Sequence, residues 1–319
     1  MSTFFPTTER ATWSQPDGVT QNRSWHHRLL RHEGDNYNWA DCEPDHLSQV
    51  PATLIICSCG LLGNGAILWF LSSRARRSPV TLYVLNLAIA DFTFLLSIAL
   101  ALGIFCGPKS LCHRLGSRDV TTVLNVITLF SFTASIYLLT ALSATTSLSI
   151  LPPPPCQLSQ HLPVLLCALL WALSFLFTMT LHFCPSALIV FVLSYLLVVL
   201  TLIFSGLTLL ARLLCCSRPF PPRQLCLVVL LVVFFFPFFT ADFGFWLFLR
   251  LFDFPVFVFD VSLLLASVKS SINPLIYFLV GSCASKFTLS VRTALERVFE
   301  EVAEPQNRDK TPGENTGET

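Results

Sequence analysis

Charge is what this chain has least of. Asp, Glu, Lys and Arg together make up 12% of its 319 residues, about half the roughly 25% of an ordinary globular chain. From residue 120 to residue 211 there is not one of them. A water-facing surface cannot be built from such a stretch, so a soluble fold is excluded. No run of Lys or Arg is long enough to track a phosphate backbone, which excludes nucleic acid as a partner. The 12 Cys include no Cys-x-x-Cys pair set with His at zinc spacing, so no metal module is indicated. Most of them, Cys57, Cys59, Cys167 and Cys226 among them, lie in apolar runs and read as small hydrophobic residues. No nucleophile, base and orienting group converge, so the chain does not read as an enzyme, and no cofactor is indicated. Residues 1–49 are polar and lack the apolar core of about 7–15 residues found in a cleavable signal peptide. The first membrane helix is therefore expected to direct insertion.

What the chain has in excess is hydrocarbon. Hydrophobic residues are 53%, Phe alone numbers 29, and the mean hydropathy is +0.66. A helix needs about 20 apolar residues to cross the bilayer core. In lipid every backbone polar group must be satisfied within the segment, so long apolar runs read as helices. Seven runs qualify: Pro51–Leu71, Val80–Leu102, Val120–Leu148, Leu162–Phe183, Ser186–Leu214, Leu225–Leu249 and Phe254–Val280. The uncharged stretch divides at Pro152–Pro155 and at Cys184-Pro185, because Pro cannot continue a helix.

Beyond the seventh run, Phe287, Leu289, Val291, Leu295, Val298 and Phe299 alternate with Lys286, Arg292, Glu296, Arg297 and Glu300. That pattern suits an amphipathic helix over Ser282–Glu301, lying on the membrane surface. The expected architecture is an all-α membrane protein. It has a tail over residues 1–49, a seven-helix bundle over 50–281, a short amphipathic helix over 282–302 and a disordered tail over 303–319.

Orientation follows from the basic residues. One side holds Arg74, Arg76, Arg77, Arg212, Arg218, Arg223, Lys286, Arg292 and Arg297; the other holds Lys109, Arg114, Arg118 and Arg250. The richer side is expected to be cytoplasmic, which leaves the C-terminus inside and the N-terminus outside. Asn22-Arg23-Ser24 is a glycosylation sequon in the outer tail. Cys106 and Cys112 flank the first outer loop, and Cys42 and Cys184 also lie outside. One or two disulfides are compatible with that oxidising face, but four Cys allow three pairings and spacing does not choose among them. Cys215, Cys216 and Cys283 lie near the inner surface, either acylated or, more simply, as free thiols.

An ionisable side chain at mid-bilayer costs roughly 2.5–3.5 kcal/mol, so such residues are functional candidates by default. Asp91 in the second run and Lys269 in the seventh stand out, with the amides Asn64 and Asn273. Lys269, Asn273 and Tyr277 recur every four residues and share one face of their helix. Pro274 removes an N–H there, frees a carbonyl one turn earlier and is expected to kink the helix. Asn64, Asp91, Ser135, Lys269, Ser270 and Asn273 are expected to form one polar centre. The plainer alternative is that buried Asn and Ser serve only to hold helices together.

Several of these residues sit in motifs. Gly63-Asn64, the run Leu85-Asn86-Leu87-Ala88-Ile89-Ala90-Asp91, Trp171, Pro237 and Asn273-Pro274-Leu275-Ile276-Tyr277 fall in order, each in its own helix. Together they resemble the rhodopsin-like G-protein-coupled receptors. Tyr137–Ser143, Ala168–Leu173, Arg212–Cys215 and Ser271–Ser282 narrow the resemblance to the Mas-related receptors over about residues 50–302. The resemblance implies an extracellular ligand, peptide or small molecule, and an inner face that activates a heterotrimeric G protein. It implies that the bundle moves at Pro237 and Pro274. Asp242, Trp246 and Asp253 near the outer ends of helices six and seven are candidate ligand contacts, or else boundary residues.

The chain departs from the pattern where helix three normally ends in an acid followed by Arg; here stand Thr145 and Thr146. The following loop, normally basic, is Pro152–Pro155 with Cys156. The loop between helices four and five is nearly absent, and the position of an acid used by some members for cationic ligands is Leu181. Lys269 replaces a small polar residue. In the wider superfamily the acid of helix two helps to hold a sodium ion; here the Lys269 ammonium is expected to pair with Asp91 in its place. A second reading is a receptor-like protein that does not couple, acting as a decoy or partner subunit. A retinal protein is disfavoured because Lys269 stands closer to Asn273 than an opsin's Schiff-base Lys does. A transporter is disfavoured because internal repeats and paired broken helices are missing.

Overall fold

The computed structural model describes residues 50–73, 78–105, 118–149, 161–184, 188–215, 223–250, 261–283 and 290–300. All lie in the compact unit Cys42–Thr319. Their regular structure is entirely helical: α1 (Val50–Ser72), α2 (Pro79–Phe105), α3 (Arg118–Leu148), α4 (Leu162–Phe183), α5 (Leu188–Cys215), α6 (Arg223–Arg250), α7 (Val261–Cys283) and α8 (Val291–Glu300). Six of these are long and apolar enough to cross a membrane over their described residues, and α6 is apolar over its described part, Gln224–Pro237. The seven expected runs match α1–α7 within a few residues, apart from the start of the seventh. Of that run, residues 254–260 lie outside the described residues.

The surface says what surrounds the bundle. Leu165, Phe175 and Leu176 on α4 and Leu197 and Phe204 on α5 point outward, Phe204 with 78% of its surface exposed. Such a face is stable only against hydrocarbon. The interior is the opposite. Ser131–Ile136 on α3 are all buried, and α3 touches α2, α4, α5 and α6. Neighbours in sequence pack from α1 to α4 and from α5 to α7, α3 bridges α4 and α5, and α7 returns to α1. Phe94 and Phe132 meet at 5.6 Å between ring centroids in the core.

Small residues set the closest contact. A Cβ at Gly60 would lie 2.1 Å from Ser271 Oγ, and one at Gly63 would lie 2.8 Å from Pro274 Cβ. In a membrane, where no hydrophobic effect drives helices together, such close backbone packing supplies the attraction. Gly281 plays the same part near the C-terminal end of α7, where a Cβ would run into the Ala294 carbonyl oxygen of α8.

The boundary between bundle and amphipathic helix, expected at Ser282, falls later. Ser282 and Cys283 belong to α7, which continues unbroken past Gly281. The described helix that follows is Val291–Glu300; residues 284–289 lie outside the described residues. Its amphipathic character is as expected. Ala294, Leu295, Val298 and Phe299 are buried, while Arg292 pairs with Glu296 at 3.0 Å on the exposed side.

Candidate functional site

Three helices carry polar groups to one point inside the apolar bundle. Asp91 on α2, Ser135 on α3 and Lys269 and Asn273 on α7 are each at most 2% exposed. The Asp91 carboxylate accepts from three donors. Its Oδ1 accepts from Ser135 Oγ at 2.6 Å and from Lys269 Nζ at 3.1 Å. Its Oδ2 accepts from Asn273 Nδ2 at 2.7 Å. The Lys269 ammonium also donates to Ser135 Oγ. Each group thus has a reason to be there: an isolated buried charge is prohibitively unfavourable, and each charge here faces its opposite with a hydroxyl and an amide completing the shell.

Asn64 belongs to the same region by a different bond. Pro274 has no N–H, so the Ser270 carbonyl four residues earlier loses its helical donor. Asn64 Nδ2 donates to that carbonyl at 3.0 Å and to Gly60 O at 3.0 Å. Asn64 therefore ties α1 to α7 beside Lys269. Its recorded bonds run to backbone oxygens, not to the Asp91 carboxylate. Ser271 adds a second tie, donating to Ile56 O at 3.1 Å. Four oxygens of this interior, Ser270 Oγ, Asn273 Oδ1, Ser143 Oγ and Tyr277 Oη, are buried without a hydrogen-bond partner among the described residues.

The other residues singled out from sequence are spread along the bundle. Tyr277 is buried against Phe299 of α8, rings 5.8 Å apart. Thr146 is buried and Thr145 half-buried. Thr146 donates to Leu142 O at 2.7 Å and Thr145 to Ala141 O at 2.7 Å, so both hydroxyls are spent within α3. Pro237 and Pro274 lie inside α6 and α7. Leu181 is buried and Cys184 exposed. Asp242 and Trp246 fall on α6, but their side chains are outside the described residues, as are Asn22, Cys106, Cys112 and Asp253 altogether. Among the described residues no three His, Cys, Asp or Glu side chains gather to hold a metal ion.

Some partners are not legible in the sequence. Trp171 Nε1 donates to Asn86 Oδ1 at 3.0 Å, joining α4 to α2, and Asn86 Nδ2 donates back to Leu82 O at 2.8 Å. Both residues are motif positions, yet nothing in their spacing pairs them. Tyr137 Oη and Ser194 Oγ join α3 to α5 at 2.6 Å. Arg212, counted from sequence as a marker of orientation, is 8% exposed and packs near Cys226 of α6. Its position at the end of an apolar run gave no hint of burial.

Comparisons with known proteins match this architecture. The family described as 7 transmembrane receptor (rhodopsin family) matches residues 63–188. Mas-related G-protein coupled receptor member D of Macaca fascicularis is 34% identical over 291 residues, 83% of this chain and 88% of that receptor. Member X2 of Homo sapiens is 32% identical over 298 residues, covering 82% and 86%, and member B5 of Mus musculus is 32% identical over 290 residues, covering 83% and 88%. Among solved structures, squid rhodopsin superposes with a TM-score of 0.59 at 15% identity, covering 80% of this chain and 86% of that one, a likeness of fold.

Proposed function

The chain belongs to the Mas-related G-protein-coupled receptors, within the rhodopsin-like seven-helix family, and on that premise we propose a plasma-membrane receptor that couples to its G protein weakly. Its N-terminus lies outside and its C-terminus in the cytoplasm. A peptide or small molecule binds from the extracellular side, with Asp242, Trp246 and Asp253 as contacts. Asn22 carries a glycan, and Cys106 pairs with Cys112. Binding shifts an equilibrium between bundle arrangements that exist beforehand. The centre formed by Asp91, Ser135, Lys269 and Asn273 is the hub of that equilibrium, since a displacement of α7 must carry or break bonds to α2 and α3. Asn64 anchors α1 to the same turn. Pro237 and Pro274 supply the bends, and Tyr277 the side chain that changes partners.

One observation supports weak coupling. At the end of α3, Thr146 is buried and its hydroxyl is committed to Leu142 O. No cation stands at that position to meet a G protein, and no acid stands at Thr145 to latch it. The loop beyond, Pro152–Cys156, is also uncharged. The test measures second messengers in cells expressing the native receptor and the variant Thr145→Asp/Thr146→Arg at equal surface level. Stronger basal or peptide-evoked signalling by the variant is expected. Equal, strong signalling by both sinks the weak-coupling reading. Silence of both favours a receptor-like protein that does not couple, which the same Thr146 geometry also supports.

A further inference from the structure

A buried carboxylate must be neutralised, and there are three means: a fixed side-chain cation, a free cation or a proton. In this bundle the first is in place. We infer that the Lys269 ammonium is a tethered counter-ion for Asp91, that the native receptor is for this reason indifferent to the identity of the surrounding monovalent cation, and that shortening Lys269 opens a site for a small free cation. The ligands of that site are already assembled around the ammonium: Asp91 Oδ1 at 3.1 Å and Ser135 Oγ, both on buried side chains. A second observation points the same way. Asn273 Oδ1 and Ser270 Oγ, on the turn of α7 that carries Lys269, are buried oxygens with no hydrogen-bond partner among the described residues. Oxygens of carboxylate, hydroxyl and amide type are what a hard cation takes. With the Lys chain removed, the vacated volume remains, and α7 offers Asp91 only the uncharged Asn273 amide, so the carboxylate charge is left uncompensated.

The inference rests on Asp91 facing the interior of a membrane bundle, and not on G-protein coupling, so its test uses stability and leaves signalling aside. The purified receptor, Lys269→Ala and the double variant Asp91→Asn/Lys269→Ala are melted at one pH and ionic strength in NaCl, LiCl, KCl or N-methylglucamine chloride. A ligand that binds only the folded state raises the melting temperature with its concentration. The expected result is a melting temperature of Lys269→Ala that climbs with Na⁺ or Li⁺ and stays low in N-methylglucamine. The native protein and the double variant should show no such dependence. A native receptor that itself responds to Na⁺ overturns the inference, as does a Lys269→Ala variant that follows pH and ignores the cation. Should Lys269→Ala not fold in N-methylglucamine, recovery of folded protein on purification in NaCl supports the inference, and failure in every salt while the double variant folds overturns it.

Discussion

Replacing Gly60 by Ala places one methyl group in the seam between α1 and α7. Taken alone, Ala is the better helix former by about 1 kcal/mol. The added Cβ, however, would stand 2.1 Å from Ser271 Oγ, 2.6 Å from Leu95 Cδ1 and 2.8 Å from Ser271 Cβ. The hydroxyl can rotate away only by leaving Ile56 O, a loss of about 0.5–1.5 kcal/mol. Ser271 Cβ cannot rotate, because it is fixed to the backbone of α7, so the helices themselves must part. Overpacking of that kind costs about 1–3 kcal/mol. The propensity gain does not offset these losses, and a net destabilisation of about 1–3 kcal/mol is expected. Gly65 supplies the control on the same helix: the nearest atom to its Cβ is Phe92 Cε2 at 3.8 Å, an ordinary contact. Gly65→Ala should leave stability unchanged or raise it by up to about 1 kcal/mol. Thermal unfolding of the three proteins in one detergent reads the difference. Equal melting temperatures for Gly60→Ala and Gly65→Ala would refute the close seam.

Other substitutions probe the hydrogen bonds individually. Asn64→Leu strips the Ser270 carbonyl of the donor that Pro274 obliges it to find elsewhere, and should lower stability by about 1–3 kcal/mol; restoring an N–H with Pro274→Ala in the same chain should recover part of the loss in a thermal melt. Trp171→Phe leaves Asn86 Oδ1 without its donor and should lower the melting temperature, whereas substituting lipid-facing Leu176 should not. Tyr277→Phe removes a buried hydroxyl that has no partner among the described residues, so stability should hold or rise by about 1 kcal/mol. If that hydroxyl gains its partner only in the signalling arrangement, ligand-evoked signalling of the same variant should fall.

Much of the bundle is legible because lipid admits few solutions. Length and apolarity alone place α1 to α6 nearly to the residue, and the rarity of buried charge points to Asp91 and Lys269. The pairing of Lys269 with Asp91 is what the resemblance implies for a Lys at that place, and the need of a carbonyl one turn before Pro274 for a substitute donor follows from the missing N–H. What sequence conceals is rotation. In α1 and α6 both faces are apolar, one toward lipid and one toward protein, so periodicity does not say which side is inward. Hence Gly60 and Gly63 do not announce their contact with Ser271 and Pro274. The Trp171–Asn86 bond and the burial of Arg212 are hidden likewise, because each depends on how neighbouring helices are turned. The end of α7 is hidden for a related reason: Gly281 serves a close approach of α8 within a continuing helix, a contact the sequence does not show.

The meeting of α2, α3 and α7 at one charged pair is tested most directly by a double-mutant cycle on Asp91→Asn and Lys269→Met, read as unfolding free energy in a common detergent. Each single change should lower stability by about 3–5 kcal/mol, since it strands a buried charge. The double variant should lose far less than the sum, giving a coupling near the upper end of about 0.5–3 kcal/mol. Losses that add to within about 0.3–0.5 kcal/mol would mean that the two side chains do not meet.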